Sequence, residues 1–370
     1  MIGRPGAETD FSLMRAALGL ARRGFGNVWP NPAVGCVVVK DGRVVGRGWT
    51  QPGGRPHAET EALARAGAVA TGATAYVTLE PCAHFGRTPP CADALIAAGL
   101  ARVVVALQDP DPRVAGAGMA RLRQAGIAVD TGICEAEAAE VNAGFLQRLG
   151  SGRPLVTLKL ATSLDGRIAT GSGESRWITG PVARRRAHLL RATHDAVLVG
   201  TETVIADDPE LTCRLPGFGR HSPVRLVLDR RLRIPPTAKV FDTVAAPTWL
   251  VTTAAADSAH HLSLRQRGVE IVEAATEPAG GLNLGAVLGA LGRRGMTRLL
   301  VEGGGRLAAA LLRLRLVDRL VWFHAPMLIG GDGLPAVAAL GFGPLAEAPQ
   351  FERLASETVG DDVMTTFRLR

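Results

Sequence analysis

Two α/β domains in tandem are predicted for this chain, and three observations carry the prediction. Its 370 residues exceed what one ordinary core serves at roughly 150 residues per domain. Short apolar runs rich in valine and leucine alternate with stretches of helical periodicity, the pattern of sheets covered by helices. The alternation halts at Gly150-Ser151-Gly152-Arg153-Pro154 and then restarts, dividing residues 1–150 from 151–370.

Each element follows from local chemistry. Thr9 or Asp10 is placed to cap a helix whose apolar positions Phe11, Met14, Leu18 and Ala21 share a face, with Gly24 as its stop. Val34 to Val39 is a buried strand, Asp41-Gly42 a tight turn, and Arg43 to Trp49 the hairpin partner. After Pro56 the period turns helical through Ala58, Ala62, Leu63 and Ala66 and stops at Gly67, which puts His57 and Glu59 in the first turn. Tyr76 to Glu80 is a strand and Cys91 to Ile96 opens a helix. Strand 102–106, helix 118–124, strand 127–131 and an amphipathic segment 135–149 complete the first half.

The second half restarts with strand 155–161, a turn and return strand over 164–169, and a helix from Pro181 through Arg191. Strands 196–200, 224–229, 248–252 and 269–272 follow, then a helix near 282–291. Strand Arg298 to Glu302 runs into Gly303-Gly304-Gly305-Arg306 and a helix over 307–314, an arrangement that turns open backbone N–H groups and a helix dipole towards an anion. Neither Gly-x-Gly-x-x-Gly nor Gly-Lys-Ser/Thr is present, and a close-packed turn also accounts for three glycines. The tail from Phe351 to Arg370 alternates as closing antiparallel strands do.

Composition narrows the partners. Apolar content of 47% is ample for burial, and five scattered cysteines do not make a disulfide framework. The net charge of +8 permits nucleic acid or phosphorylated substrates, yet nearly all of it is arginine in an Ala, Gly and Arg background, with three lysines and no basic tail. With ten Phe, five Trp and one Tyr, no aromatic platform for single strands stands out, so nucleic acid is not an expected partner. The N-terminus lacks the apolar core of a signal peptide and no run reaches membrane-spanning length. A cytoplasmic homo-oligomer with no membrane partner is expected.

The stretch Pro56 to Cys91 carries the chemistry. His57, Cys82 and Cys91 supply one imidazole and two thiols, a set suited to zinc with a fourth position left for water. Glu59, two residues after the histidine, is the candidate proton shuttle, since zinc brings the pKa of water towards about 7. His-x-Glu followed by Pro-Cys and a second Cys is the zinc deaminase order, although eight residues separate Cys82 from Cys91 where the usual spacing is two. Asn31, held between two prolines, suits a base-binding pocket and equally a turn.

With Pro-Cys-x-His-x-Gly-Arg-Thr-Pro-Pro-Cys (81–91) in the first half, the chain resembles the bifunctional riboflavin-biosynthesis deaminase/reductases. Lys-Leu-Ala-x-Ser-Leu-Asp-Gly (159–166), Gly-Glu-Ser-x-Trp-Ile-Thr (173–179), Thr-Val-x-Ala-Asp-Asp-Pro (203–209) and Val-Glu-Gly-Gly (301–304) extend the resemblance through the second. It implies a cytidine-deaminase-like α/β/α domain followed by a dihydrofolate-reductase-like α/β domain, with zinc and NADPH as cofactors. The implied substrate is a small phosphorylated pyrimidine: a diaminopyrimidinone ribosylamine phosphate loses its 2-amino group, then the ribose of the product is reduced. By the same likeness, Asn31, His84 and Arg87 line the deaminase pocket. Ala161, Trp177, Thr203, Asp207 and the loop Gly304, Gly305 and Arg306 contact NADP. Ser175, Arg191, Leu211, Arg214 and Glu302 contact the substrate, the two arginines holding its phosphate. Lys159 and Asp165 are acid or electrostatic candidates, with a buried strand lysine and a turn aspartate as the plain alternatives; Arg230 and Arg231 are either readers of the NADP 2′-phosphate or a surface pair.

Two other readings compete: a nucleic-acid base deaminase fused to an unrelated domain, and a binding module on a structural zinc closed by His84 as a fourth ligand.

Overall fold

The computed structural model describes residues 7–86, 89–111, 115–218, 222–253, 259–277 and 280–370. The chain divides into two compact units, Met1–Gly152 and Arg153–Arg370.

In the first unit, α1 (Ala7–Ala21), β1 (Gly35–Lys40), β2 (Arg43–Trp49), α2 (Ala58–Ala66), β3 (Thr74–Val77) and α3 (Cys91–Ala97) come first. Then come β4 (Arg102–Val105), α4 (Ala117–Gln124), β5 (Ala128–Thr131), α5 (Glu135–Val141) and α6 (Ala143–Ser151). The sheet order is β2-β1-β3-β4-β5, with β1 antiparallel to both neighbours and β3, β4 and β5 parallel. Strand side chains alternate between faces. Val38, Val77 and Val103 therefore pack with Ala62, Leu95 and Leu122 on one side, while Val37, Tyr76 and Val104 pack with Met14, Leu18 and Val141 on the other. The result is a three-layer α/β/α unit. Gly46 and Gly48 let α2 lie directly on β2: a Cβ on Gly48 would stand 2.1 Å from the Ala58 carbonyl oxygen, and one on Gly46 2.2 Å from that of Ala62. Ala58 is the first residue of α2, so this approach sets where the helix carrying Glu59 begins.

Several local expectations are corrected. Asp10 does not cap α1; its carboxylate accepts two hydrogen bonds from Arg102 (3.0 and 2.7 Å) and one from the Tyr76 hydroxyl (2.5 Å), charge-assisted bonds stronger than a cap. Phe11 faces outward, 47% exposed, because the buried stripe is Met14, Ala17, Leu18 and Ala21. The strand expected to reach Glu80 ends at Val77. The segment 135–149 breaks into α5 and α6 at Asn142, whose buried Oδ1 accepts the Ala33 N–H at 3.0 Å.

The second unit begins with β6 (Leu155–Thr162), β7 (Arg167–Ala169), α7 (Pro181–Ala192), β8 (Ala196–Gly200), α8 (Thr201–Asp207) and β9 (Val224–Leu228). It continues with β10 (Thr248–Thr252), α9 (Ala259–Gln266), β11 (Glu270–Glu273), α10 (Leu284–Arg293), β12 (Arg298–Val301) and α11 (Gly305–Arg313). It closes with β13 (Arg319–His324), β14 (Leu334–Pro335), β15 (Phe351–Val359) and β16 (Asp362–Leu369). Its main sheet runs β11-β10-β9-β8-β12-β6-β13-β16-β15. The order from β11 to β13 is parallel, and β16 and β15 add antiparallel strands, as the tail periodicity predicts. Helices α8 and α9 and strand β13 were not anticipated from the sequence.

His194, buried after α7, donates from Nδ1 to the Leu190 carbonyl at 2.7 Å and accepts the Thr157 hydroxyl at Nε2 at 3.0 Å. A carbonyl only accepts, so Nδ1 carries the hydrogen, and burial pushes the pKa down to about 4, which leaves the ring neutral at pH 7 with Nε2 as the acceptor. Its folded value lies below the ordinary 6.5, so the folded state binds fewer protons than the unfolded state between those values. Stability of this unit is therefore lost as pH falls from 6.5 towards about 4. In acid melting curves, His194→Gln should flatten that limb; a limb of unchanged slope contradicts the assignment.

Candidate active sites

The first site lies at the carboxyl end of β3. His57 is the N-cap residue of α2, and Glu59 is in that helix's first turn. Cys82 follows β3, and Cys91 is the first residue of α3, with Pro90 at its N-cap. The ligand atoms of His57, Cys82 and Cys91 all lie within 4.8 Å of one another. His57 Nδ1 stands 3.2 Å from Cys91 Sγ and 3.7 Å from Cys82 Sγ, and the Cys91 N–H donates to Cys82 Sγ at 3.3 Å. A hydrogen bond from the Cys91 thiol, joined by that N–H and by His57, pulls the Cys82 thiol down to about 4. The same hydrogen bond, together with burial, pushes the Cys91 thiol up, so the two sulfurs titrate as one coupled pair. The hydrogen bond with Cys82 also raises His57. Two soft sulfurs and an imidazole within one coordination radius fit zinc, with one position open. Among the described residues His84 does not join the cluster, and it is exposed, so the fourth ligand of a closed structural site is not supplied there.

Glu59 is 3% exposed, and burial lifts its carboxyl to about 7. Half-buried Asn31 packs its amide against Gly54: a Cβ there would fall 1.8 Å from Asn31 Nδ2, and Gly54 has φ +82°. Gly54 thus admits the Asn31 side chain, a role the sequence reading missed. Also missed was Arg55, whose Nη2 would stand 3.2 Å from a Cβ on Gly86, placing its guanidinium beside the insert between the two cysteines. Arg87 lies outside the described residues.

The second site is a cleft of about 1440 Å³ at the carboxyl ends of β6, β8 and β12. Ligands gather there in parallel sheets because the loops that follow the strands open outward. Lys159 and Ala161 come from β6, Thr203 and Asp207 from α8, and Glu302, Gly304, Gly305 and Arg306 from the end of β12 and the start of α11. Ser175, Trp177, Arg191, Leu211 and Arg214 complete the sequence candidates in its wall. Asp165 is not in the lining; its carboxylate accepts the Ser163 hydroxyl at 2.5 Å and the N–H groups of Ile329 (3.2 Å) and Gly330 (2.7 Å). Those bonds hold it down at about 2, as a turn aspartate anchored to a neighbouring loop. Arg230 and Arg231 are also outside the lining, and Arg230 donates to the Gly280 carbonyl.

Arg191 and Glu302 face each other with two hydrogen bonds of 2.7 and 2.9 Å, both side chains no more than 13% exposed. Burial alone would raise Glu302; the Arg191 charge and its bonds override this and hold the carboxyl at about 2. Enclosure lowers the Lys159 ammonium, which faces the same carboxylate. Leu211 adopts φ +56° and is held on both sides: Arg225 donates to the Glu210 carbonyl at 3.2 Å, and Arg191 to that of Thr212 at 3.1 Å. Trp177 is 67% exposed, with the Arg184 guanidinium 4.5 Å from its ring centre.

The three glycines divide their work. A Cβ on Gly303 would meet Leu307 at 2.6 Å and one on Gly305 the Pro335 carbonyl at 2.5 Å, so both serve packing. Gly304, the N-cap of α11, is free of such a clash; the nearest atom is Thr203 Oγ1 at 3.8 Å. That open backbone at a helix N-terminus, in a cleft also lined by arginines, fits the phosphates of NADPH. Arg184, His188, Arg233 and Lys239 line the cleft as well and were missed. A signal existed for two of them, since 184, 188 and 191 share one face of α7.

Comparison with known proteins finds matches to both halves of the chain. Residues 7–107 match the cytidine and deoxycytidylate deaminase zinc-binding region, and residues 154–365 match the RibD C-terminal domain. The riboflavin biosynthesis protein RibD of Escherichia coli is 46% identical over 365 residues, 96% of this chain and 98% of that protein. The protein of the same name from Aquifex aeolicus is 44% identical, covering 98% of this chain and 99% of its own. The solved structure of Acinetobacter baumannii RibD is 40% identical and superposes with a TM-score of 0.88, over 98% of this chain and 99% of that one. A Thermotoga maritima structure described as a diaminohydroxyphosphoribosylaminopyrimidine deaminase/5-amino-6-(5-phosphoribosylamino)uracil reductase is 34% identical, with a TM-score of 0.87 over 99% and 100% of the two chains.

Fold and sites together define a zinc-dependent deaminase joined to an NADPH-dependent reductase. The chain belongs to the RibD family, the bifunctional deaminase/reductases of riboflavin biosynthesis.

Proposed function

We propose that residues 1–150 form the deaminase domain, acting on 2,5-diamino-6-ribosylamino-4(3H)-pyrimidinone 5′-phosphate. Residues 151–370 then form the reductase domain, converting the ribosyl group of 5-amino-6-(5-phosphoribosylamino)uracil to ribityl. The observation that carries this reading is the His57, Cys82 and Cys91 cluster beside buried Glu59, in a chain that also holds the wide cleft under β6, β8 and β12.

His57, Cys82 and Cys91 hold the metal, which when bound supplies a Lewis acid able to make water a nucleophile near neutral pH. Glu59 would take one proton from the attacking water for the ring nitrogen and then carry the second, from the resulting hydroxyl, to the departing amine, a task suited to a carboxyl that burial holds at about 7. Asn31 orients the base, and His84 and Arg87, whose places in the sequence fall between the two cysteines, are assigned to substrate binding by likeness to the family.

NADPH, when bound, supplies the hydride. The Gly304 to Arg306 segment and Thr203 receive its phosphates, while Ala161, Trp177 and Asp207 border it. Ser175, Leu211 and Glu302 position the ribose. Arg191 is already committed to Glu302, so Arg214 is the freer of the two arginines for the substrate phosphate; its partner Glu210 is an exposed neighbour at 3.2 Å. Lys159, lowered by enclosure and in the field of Glu302, is the acid candidate in the cleft lining, and Asp165 acts on the cleft only through its loop. Arg214→Ala should raise KM for the phosphorylated substrate roughly tenfold to a hundredfold, the scale of one charged hydrogen bond, with kcat within a few-fold. An unchanged KM assigns the phosphate elsewhere.

The five cysteines are free, in keeping with a cytoplasmic protein, and a homo-oligomer is the common state of such enzymes. Among the described residues, no helix is long and apolar enough to cross a membrane. Mass spectrometry of the nucleotide tests the order of steps. Without NADPH the deaminated ribosyl compound should accumulate, and with it the ribityl compound should appear; deamination of RNA or single-stranded DNA in its place would favour the nucleic-acid reading.

A further inference from the structure

Helix α4 lies beyond the matched zinc-binding region, which ends at residue 107, yet it bears on both cysteine segments. Glu80, two residues before Cys82, is 4% exposed. Its Oε2 accepts the N–H groups of Asp109 (3.3 Å) and Gly116 (2.9 Å), and its Oε1 those of Gly118 (3.0 Å) and Met119 (3.3 Å). Gly118 and Met119 are in the first turn of α4, where N–H groups have no intrahelical partner, so a carboxylate from β3's exit loop caps this helix from outside. The approach is tight: a Cβ on Gly118 would fall 1.9 Å from the Pro81 carbonyl oxygen.

One turn along, Arg121 reaches both ligand segments at once. Its Nη1 donates to the carbonyl of Ala83, the residue after Cys82, at 3.4 Å, and its Nε lies 2.6 Å from the carboxylate of Asp93, two residues after Cys91 on α3. With eight residues between Cys82 and Cys91, no short turn sets the distance between the two sulfurs. The start of α3 fixes it from one side, through Cys91 N–H to Cys82 Sγ (3.3 Å) and Ala92 N–H to the Cys82 carbonyl (3.1 Å). Helix α4 closes the other side.

We propose that Glu80 and Arg121 are positioning residues of the metal site, and that α4 is a brace holding Cys82 and Cys91 at ligand spacing across the long insert. The proposal rests on His57, Cys82 and Cys91 being the zinc ligands. Neither brace residue touches metal or substrate; each acts through the backbone or helix that carries a ligand.

The test uses the full chain loaded with Co2+ in place of zinc. Thiolate-to-cobalt and ligand-field absorption report site geometry, and competition with a chromophoric chelator reports affinity. Glu80→Gln keeps the size of the side chain but turns an NH2 group towards backbone N–H donors. It should weaken metal binding by roughly tenfold to a hundredfold, shift the cobalt bands, and lower kcat for deamination more than it moves KM, with NADPH oxidation by the other unit unchanged. Arg121→Met should weaken binding by roughly threefold to tenfold, and Arg121→Lys should recover most of it by keeping the pairing with Asp93. Wild-type affinity and cobalt bands in a folded Glu80→Gln protein would overturn the proposal. If Glu80→Gln does not fold, the Arg121 pair decides: loss in Met with recovery in Lys supports the brace, and wild-type affinity in both overturns it. Cys82→Ser separates this from the ligand assignment, because metal held with unchanged bands in that variant defeats the assignment itself.

Discussion

Glu59→Gln is expected to keep its zinc, its fold and its NADPH-dependent activity while losing more than about a hundredfold in ammonia release. The side chain is 3% exposed, in the first turn of α2 beside His57, and burial holds its carboxyl at about 7. At neutral pH such a group gives and takes a proton with little cost either way. Glutamine has the same size and makes similar hydrogen bonds but transfers no proton, so the loss should fall on kcat. Zinc content measured beside the rate separates a lost proton carrier from a lost metal. Unchanged ammonia release would remove Glu59 from the proton transfer.

The second large effect is expected in the cleft. Glu302→Ala should abolish reduction and destabilise the second unit by about 3–5 kcal/mol, because it leaves the Arg191 guanidinium buried without its counter-charge. Lys159 loses the favourable field of the same carboxylate too. The Arg191→Met, Glu302→Ala double variant should recover part of the stability and none of the reduction. The sign with pH follows from the folded value of about 2, below the ordinary 4.5. Stability from the pair is fully present above pH 4.5 and is lost as pH falls towards 2. Melting curves at pH 7 and at about pH 3 should therefore show the gap between wild type and Glu302→Ala narrowing in acid. A gap of equal size at both would mean that the pair does not titrate with folding.

The zinc site was legible in the sequence because His57 and Cys91 sit at the starts of α2 and α3, marked by Pro56 and Pro90, and Cys82 lies in the loop that joins β3 to α3. The cleft was legible through its motifs, since strand exits at Lys159, Gly200 and Glu302 gather on one edge of a parallel sheet. What escaped depends on partners distant in sequence. Asp10 has the chemistry of a cap, and only the fold brings Arg102 to it. Asn142 looks like one more polar position on a helix until Ala33 supplies a donor at the break. Glu80 looks like the end of a strand, and its four partners lie between 29 and 39 residues downstream. Arg225 looks like an outward strand arginine, yet it is buried and donates to four backbone carbonyls, of Glu210, Lys239, Asp242 and Ala246. Strand β13 escaped because no turn dipeptide frames it and its place comes from pairing with β6 and β16.

The most direct test of the account is a single assay on wild type and Cys82→Ser: ammonia release from the diaminopyrimidinone ribosylamine phosphate, with NADPH absorbance followed in the same cuvette. Wild type should release ammonia and then consume NADPH. Cys82→Ser should do neither from that substrate, yet should consume NADPH at the wild-type rate when given the deaminated ribosylaminouracil phosphate. Ammonia release persisting in Cys82→Ser, or NADPH left untouched by wild type after ammonia has appeared, would contradict the assignment of a zinc deaminase and a reductase to this one chain.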